Sequence, residues 1–125
     1  MTAGVPAAML VSADLMFASR VRAAAERIDV TVESALGVDA LWEKVVNGSP
    51  PLVILDLSAP GLRAEAIVPK LRELKPAPET IIAFGPHVQE ELLRGAEKAG
   101  CDVVLSRGQF NAQMDALLKR YAVCG

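Results

Sequence analysis

Asp56 is the residue whose placement most invites chemistry. It ends the apolar run Leu52-Val53-Ile54-Leu55, which two prolines open and Pro60-Gly61 closes. A run of this kind reads as a strand buried on both faces. An ionised carboxylate inside such a strand would be costly. At the strand's carboxyl end it can reach solvent, a metal or a reagent. Few other side chains compete for a chemical role. His87, the only histidine, follows Gly85-Pro86 and fits a solvated first-turn residue better than a phosphocarrier. Cys101 and Cys124 lack metal-like spacing and read as two free thiols of a reducing compartment, Cys101 in the core and Cys124 exposed. Trp42 reads as packing, and Glu90-Glu91 as a solvated helix face.

The elements that must position Asp56 follow from periodicity. Residues 7–12 form a buried strand. A helix over 15–28 carries Leu15, Ala18, Val21, Ala25 and Ile28 inward, with Asp14 as its N-cap. A more exposed strand over 29–34 precedes a helix over 38–47 with Leu41, Trp42 and Val45 inward. The strand 52–56 comes next, then a helix near 62–75 with Leu62, Ala66, Ile67, Leu71 and Leu74 inward. Pro69 requires that this helix start near Val68 or kink there. A strand over 79–85 leads to a helix over 87–99, with Val88, Leu92, Ala96 and Ala99 inward and Gly100 as its cap. A strand over 101–106 and a helix over 111–122, with Met114, Leu117, Leu118 and Tyr121 on one face, complete the chain.

Five strand–helix units with short loops imply one α/β domain: a parallel sheet with helices on both faces. In such sheets the site lies at the carboxyl ends of the strands. Four of those ends are Ser12-Ala13-Asp14, Asp56, Gly85 and Ser106-Arg107. With 125 residues, 52% of them hydrophobic and only 4% aromatic, the chain can bury one aliphatic core. The expected extent is a single domain over 1–125 with its core at about 7–122. A net charge of −2 with interleaved bases gives no footprint for nucleic acid or an anionic membrane. The apolar N-terminus has no basic n-region and is interrupted by Asp14, so it reads as a strand and not as a signal peptide. No stretch is long enough to span a bilayer, and the expected location is cytoplasmic.

Over nearly its whole length the layout resembles the receiver domain of two-component response regulators. "VILDLSAPG" carries Asp56 and Pro60 at the family's Asp-x-x-x-Pro interval, and "EKAGCDVVLSR" resembles the run into the fifth strand. The resemblance implies a (βα)5 flavodoxin-like fold with sheet order 2-1-3-4-5, and a signalling domain rather than an enzyme. It implies Asp56 as phosphoacceptor, Arg107 in place of the phosphate-binding Lys, and Mg²⁺ held by Asp14, Asp56 and the Ser58 backbone carbonyl. The implied partners are a sensor histidine kinase or other signalling protein, with a homodimer through residues 87–122 as a further possibility.

The sequence departs from the family pattern in ways that matter chemically. "LVSAD" puts Ala13 and Asp14 where the family has an acidic pair, so one carboxylate is missing and Mg²⁺ binding should be weak. Gly85 stands at the hydroxyl position after the fourth strand, and Val104 at that of the aromatic switch residue. Arg107 keeps the charge of Lys but as a broad fork, and pairing with Asp56 or Asp14 suits it better than phosphate ligation. Gly108 replaces a proline, which predicts a trans Arg107-Gly108 peptide and a different path before Phe110. Two readings follow. One is an atypical response-regulator receiver in a phosphorelay, with Mg²⁺-assisted phosphoryl transfer to Asp56 impaired. The alternative is a phosphorylation-independent pseudo-receiver that acts as an interaction or dimerisation module. A flavodoxin-like cofactor binder needs a phosphate loop after the first strand, and "SADLMFAS" is a poor one.

Overall fold

The computed structural model describes residues 6–123. Five strands, β1 (Ala8–Val11), β2 (Val32–Ala35), β3 (Leu52–Asp56), β4 (Thr80–Gly85) and β5 (Val103–Ser106), alternate with five helices. These are α1 (Leu15–Glu26), α2 (Val38–Lys44), α3 (Ala64–Arg72), α4 (Glu90–Ala99) and α5 (Arg107–Leu118), with a last π-helical turn over Lys119–Val123. All pairings are parallel and the order is β2-β1-β3-β4-β5, the expected doubly wound sheet. β1, β3 and all of β4 but its first residue are buried, which explains their unbroken apolar sequences.

Strand alternation divides the core in two. Leu10, Ile54, Ile82 and Phe84 pack with α1 and α5, whereas Val11, Leu55, Ile81 and Ala83 pack with α2, α3 and α4. The α1–α5 side contains three phenylalanines. Phe84 stacks on Phe110 with centroids 4.7 Å apart, and Phe17 lies tilted over Phe84 at 5.0 Å. Phe17 is therefore the inward anchor of α1, while Leu15 is 65% exposed, contrary to the expectation from periodicity. Capping explains the difference. Asp14 accepts from the Phe17 amide at 3.0 Å, which fixes the start of α1 and turns Phe17 and Ala18 to the sheet.

Other boundaries move for comparable reasons. β2 covers 32–35 rather than 29–34, since residues 27–29 form a turn that ends with Asp29 at φ 59°. α2 ends at Lys44, with Leu41 and Val45 buried and Trp42 half-buried under Lys70. α3 neither starts after Pro69 nor ends before it. The proline lies inside on the exposed face, where water can satisfy the Glu65 carbonyl that loses its helical donor. Ala66 is exposed and Val68 buried. α4 starts at Glu90, so Val88 lies outside it and exposed; Leu92 faces out, and Leu93, Ala96 and Ala99 face in. Gly100 caps it in the left-handed region at φ 102°, a conformation glycine adopts without steric cost.

Cys101 is half-buried just before β5, its thiol pushed up to about 11 chiefly by burial; Cys124 lies outside the described residues. α5 begins at Arg107 instead of 111, directly after β5. Ser106 forms a capping box with Gln109: its hydroxyl accepts from the Gln109 amide at 3.1 Å, and the Gln109 side chain accepts from the Ser106 amide at 2.9 Å. The Arg107-Gly108 peptide is trans, since among the described residues the cis bond is Lys75-Pro76.

The buried and exposed assignments separate by stability. Phe110→Ala should lower unfolding free energy by about 3–5 kcal/mol, the usual cost of emptying a buried aromatic site. Leu15→Ala, on the exposed rim of α1, should stay within about 0.5 kcal/mol. Urea denaturation of both variants checks this.

Candidate functional site

The carboxyl ends of β1, β3 and β5 bring Asp14, Asp56, Ser58 and Arg107 together, as the sequence implied. Asp56 is only 2% exposed and its oxygens are served by the protein. Oδ1 accepts from the Ser58 amide at 3.0 Å and the Ser58 hydroxyl at 2.6 Å. Oδ2 accepts from the Ser12 hydroxyl at 2.7 Å, and Arg107 Nη1 stands 3.8 Å away. Ser58 thus acts on Asp56 through its own donors.

The sequence places Ser12 at a strand end of the site without giving it a role. The ladder register explains its role. Val11 lies opposite Leu55, so the next residues, Ser12 and Asp56, share the α1–α5 side of the sheet. The residue facing Asp56 from the end of β1 is therefore Ser12, one position earlier than the expected pair Ala13-Asp14. A hydroxyl there donates where a carboxylate would accept. Ser12 Oγ also accepts from the Asp14 amide at 3.2 Å, which ties the β1 end to the start of α1.

Arg107 lies across this cluster. Its Nη2 donates to Asp14 Oδ2 at 2.6 Å, and its guanidinium carbon lies 4.6 Å from the Phe17 ring centroid and 5.9 Å from that of Phe84. These distances are within the reach of cation–π attraction. The position follows from local structure: Arg107 is the first residue of α5, and the capping box fixes the backbone that carries it. Arg107 and Asp14 are each partly open to solvent, so their attraction is screened by salt. The opening between α1 and α5 has a volume of about 390 Å³ and is lined by Asp14, Met16, Phe17, Arg20, Arg107 and Asn111, among others.

Gly85, at the end of β4, is buried beside Leu57. A Cβ at 85 would meet the Leu57 Cβ at 3.3 Å and Leu93 Cδ2 at 3.7 Å. Leu57 thus occupies the space that a larger residue at 85 would need. Val104 is half-buried against the α2–α3–α4 side of the core. His87 is exposed in the turn before α4, outside this cluster.

The donors do not fit a resident Mg²⁺. That ion takes octahedral oxygen ligation and gives up its waters reluctantly. Among the described residues no three His, Cys, Asp or Glu side chains converge. Ser12 donates to Asp56, Asp14 Oδ1 caps α1, and Asp14 Oδ2 is taken by Arg107.

The Asp14 carboxyl is held below its ordinary value of 3.8, first by the Phe17 amide; desolvation opposes this, and the hydrogen bond and charge of Arg107 and the Met16 amide lower it further. A depressed carboxylate stabilises the fold fully above its unfolded value, and this contribution is lost as pH falls through the lower folded value. The stability gap between wild type and Asp14→Ala should therefore be constant near neutrality and close below about pH 3.8. Thermal midpoints of both proteins across an acid titration would show it.

No protein-family model matches the sequence, and no curated protein matches it. Solved structures do. The signal receiver domain of a response regulator from Bermanella marisrubri is 25% identical, with 90% of this chain and 92% of that one covered and a TM-score of 0.75. A response regulator from Thermotoga maritima is 19% identical over 92% of each chain, with a TM-score of 0.72. A response regulator from Burkholderia pseudomallei, solved with a phosphorylated aspartic acid, calcium ion and citrate, is 18% identical, with 90% of this chain and 64% of that one covered and a TM-score of 0.74. The order β2-β1-β3-β4-β5, the acidic end of β3 and these neighbours converge: the chain has the flavodoxin-like fold of a response-regulator receiver domain.

Proposed function

We propose that this chain serves two-component signalling in the cytoplasm as a receiver-fold interaction module, without enzymatic activity and with an output that does not depend on phosphorylation of Asp56. The observation that carries this reading is the Arg107 guanidinium, which bonds Asp14 and overhangs an Asp56 carboxylate that is 2% exposed. A phosphodonor approaching Asp56 must displace that fork and the hydroxyl contacts of Ser12 and Ser58. Nothing on β4 would hold the transferred group, because Gly85 has no hydroxyl. The partner is another signalling protein, a sensor histidine kinase among the candidates, or a second copy of the chain through residues 87–122.

A second reading, phosphorylation of Asp56 at a reduced rate, is favoured by one observation. Asp56 ends β3 at the carboxyl edge of the sheet, and the Burkholderia neighbour was solved with a phosphorylated aspartic acid.

Intact mass after incubation with acetyl phosphate and Mg²⁺ separates the two. The proposal expects no added phosphoryl group under conditions that label an ordinary receiver. An addition present in wild type and absent from Asp56→Asn would favour the second reading. Self-association should also agree within about tenfold between wild type and Asp56→Asn, which is roughly 1.4 kcal/mol.

The missing hydroxyl is built into the packing. Gly85→Thr should destabilise the domain by about 1–3 kcal/mol, the range for overpacking a filled core, because Leu57 must yield to the new side chain. Adding Leu57→Ala should recover only the share due to Leu57 Cδ1 at 3.5 Å, since alanine keeps the nearer Cβ, and a double-mutant cycle reads that share. Denaturant midpoints would measure both effects.

A further inference from the structure

We propose that Arg107 is a tethered cation in the place of a divalent ion, so that the Asp14–Asp56 cluster excludes Mg²⁺ while the arginine remains. This goes beyond the proposed signalling role, because metal binding can be measured with no phosphodonor and no partner present.

Charge gives the first argument. Two carboxylates and one guanidinium leave this cluster with a single net negative charge. The guanidinium does not release its proton in proteins. An ion ligated by both Asp14 and Asp56, at roughly 2.1 Å from each oxygen, would enter the space that Arg107 now spans, with contacts of 2.6 Å and 3.8 Å to those side chains. Two cations cannot share that space without strong repulsion.

Anchorage gives the second. Arg107 is held at both ends: its backbone by the capping box at the start of α5, and its guanidinium by Asp14 below and the Phe17 ring alongside. Displacing it would sacrifice the pairing and the stacking together. Donor chemistry gives the third. The side chain facing Asp56 from β1 is a hydroxyl whose proton points to Oδ2, so it offers an incoming ion no anionic ligand. Ser12 and Arg107 together therefore weaken the case for a metal: Asp56 is already hydrogen-bonded by Ser12 and Ser58 and has a guanidinium 3.8 Å away.

The test is a Mn²⁺ titration followed by amide NMR of the full chain, reading paramagnetic broadening at Ala13, Asp14, Leu57 and Ser58. Wild type should show no broadening centred on these amides. Arg107→Gln, which keeps a long polar side chain without the charge, should bind Mn²⁺ at least about tenfold more tightly, with broadening centred there. Ser12→Asp with Arg107 retained should bind no more tightly than wild type, since the arginine pairs with the added carboxylate. This variant tests the idea even if Arg107→Gln fails to fold. Site-centred broadening of wild type equal to that of Arg107→Gln would overturn the proposal. So would a folded Arg107→Gln with no gain, or a tenfold gain in Ser12→Asp. Because none of these readouts involves phosphorylation, the Mn²⁺ titration decides this proposal whether or not Asp56 is labelled in the intact-mass experiment.

Discussion

A carboxylate at the end of a fully buried strand must be solvated by the protein, and the local structure around Asp56 meets that demand. Burying an unpaired ion costs several kcal/mol even after relaxation. Here the ion has hydroxyl donors from Ser12 and Ser58, an amide from Ser58, and a guanidinium overhead. These donors come from three parts of the topology: the end of β1, the turn after β3 and the start of α5. The register of β1 on β3 and the early start of α5 therefore serve the same end. Among the described residues no buried side-chain polar atom lacks a partner, so the arrangement is complete as it stands.

Completeness has a mechanical consequence. Arg107 links the N-terminus of α1, through Asp14, to the N-terminus of α5 that carries it. Phe17, Phe84 and Phe110 join the same two helices to β4 from below. The polar cluster and the aromatic stack thus reinforce one another, with the cation lying on the ring that anchors α1. A site held from both sides in this way favours one geometry over a pair of alternatives.

How much of this was legible from sequence depended on which physical signal each feature carries. β3 is legible to the residue, because an unbroken apolar run between prolines and a carboxylate leaves little choice. The sheet order came with the family resemblance, and Asp14, Asp56, Ser58 and Arg107 do come together. Ala18, Val21 and Ala25 face inward on α1 as their spacing predicts, with Ile28 packed inward just beyond it, and only the first turn differs: Leu15 and Phe17 both fit the stripe, and Phe17 takes the inward place. The start of α5 is hidden in the sequence because residues 106–109 include no apolar side chain, although Ser106 and Gln109 have the spacing of a capping box. Ser12 stands among the strand ends in the sequence, but its role does not, because the resemblance puts the acidic pair one residue later. Its role depends on a cross-strand register that a single sequence does not display. The Leu57 filling beside Gly85 had no sequence signal at all, since it arises from two elements packed in space.

That filling bears on whether this fold can still act as a switch. A modification shifts a conformational equilibrium only by interacting differently with the two states. For a group on Asp56 to do so, something near the end of β4 or β5 must move toward it and leave a space behind. Gly85 has no side chain to move, and Leu57, 5% exposed, already fills the space beside it. Val104, half-buried on the α2–α3–α4 side, lies on the opposite face of the sheet from the Phe17, Phe84 and Phe110 stack under Arg107. A perturbation at Asp56 would thus act first on Arg107, and through it on α1 and α5. The route left by this sequence runs through the cation and the two helices it joins. Any conformational response should therefore follow the breaking of the Asp14–Arg107 pair, independently of residues 85 and 104.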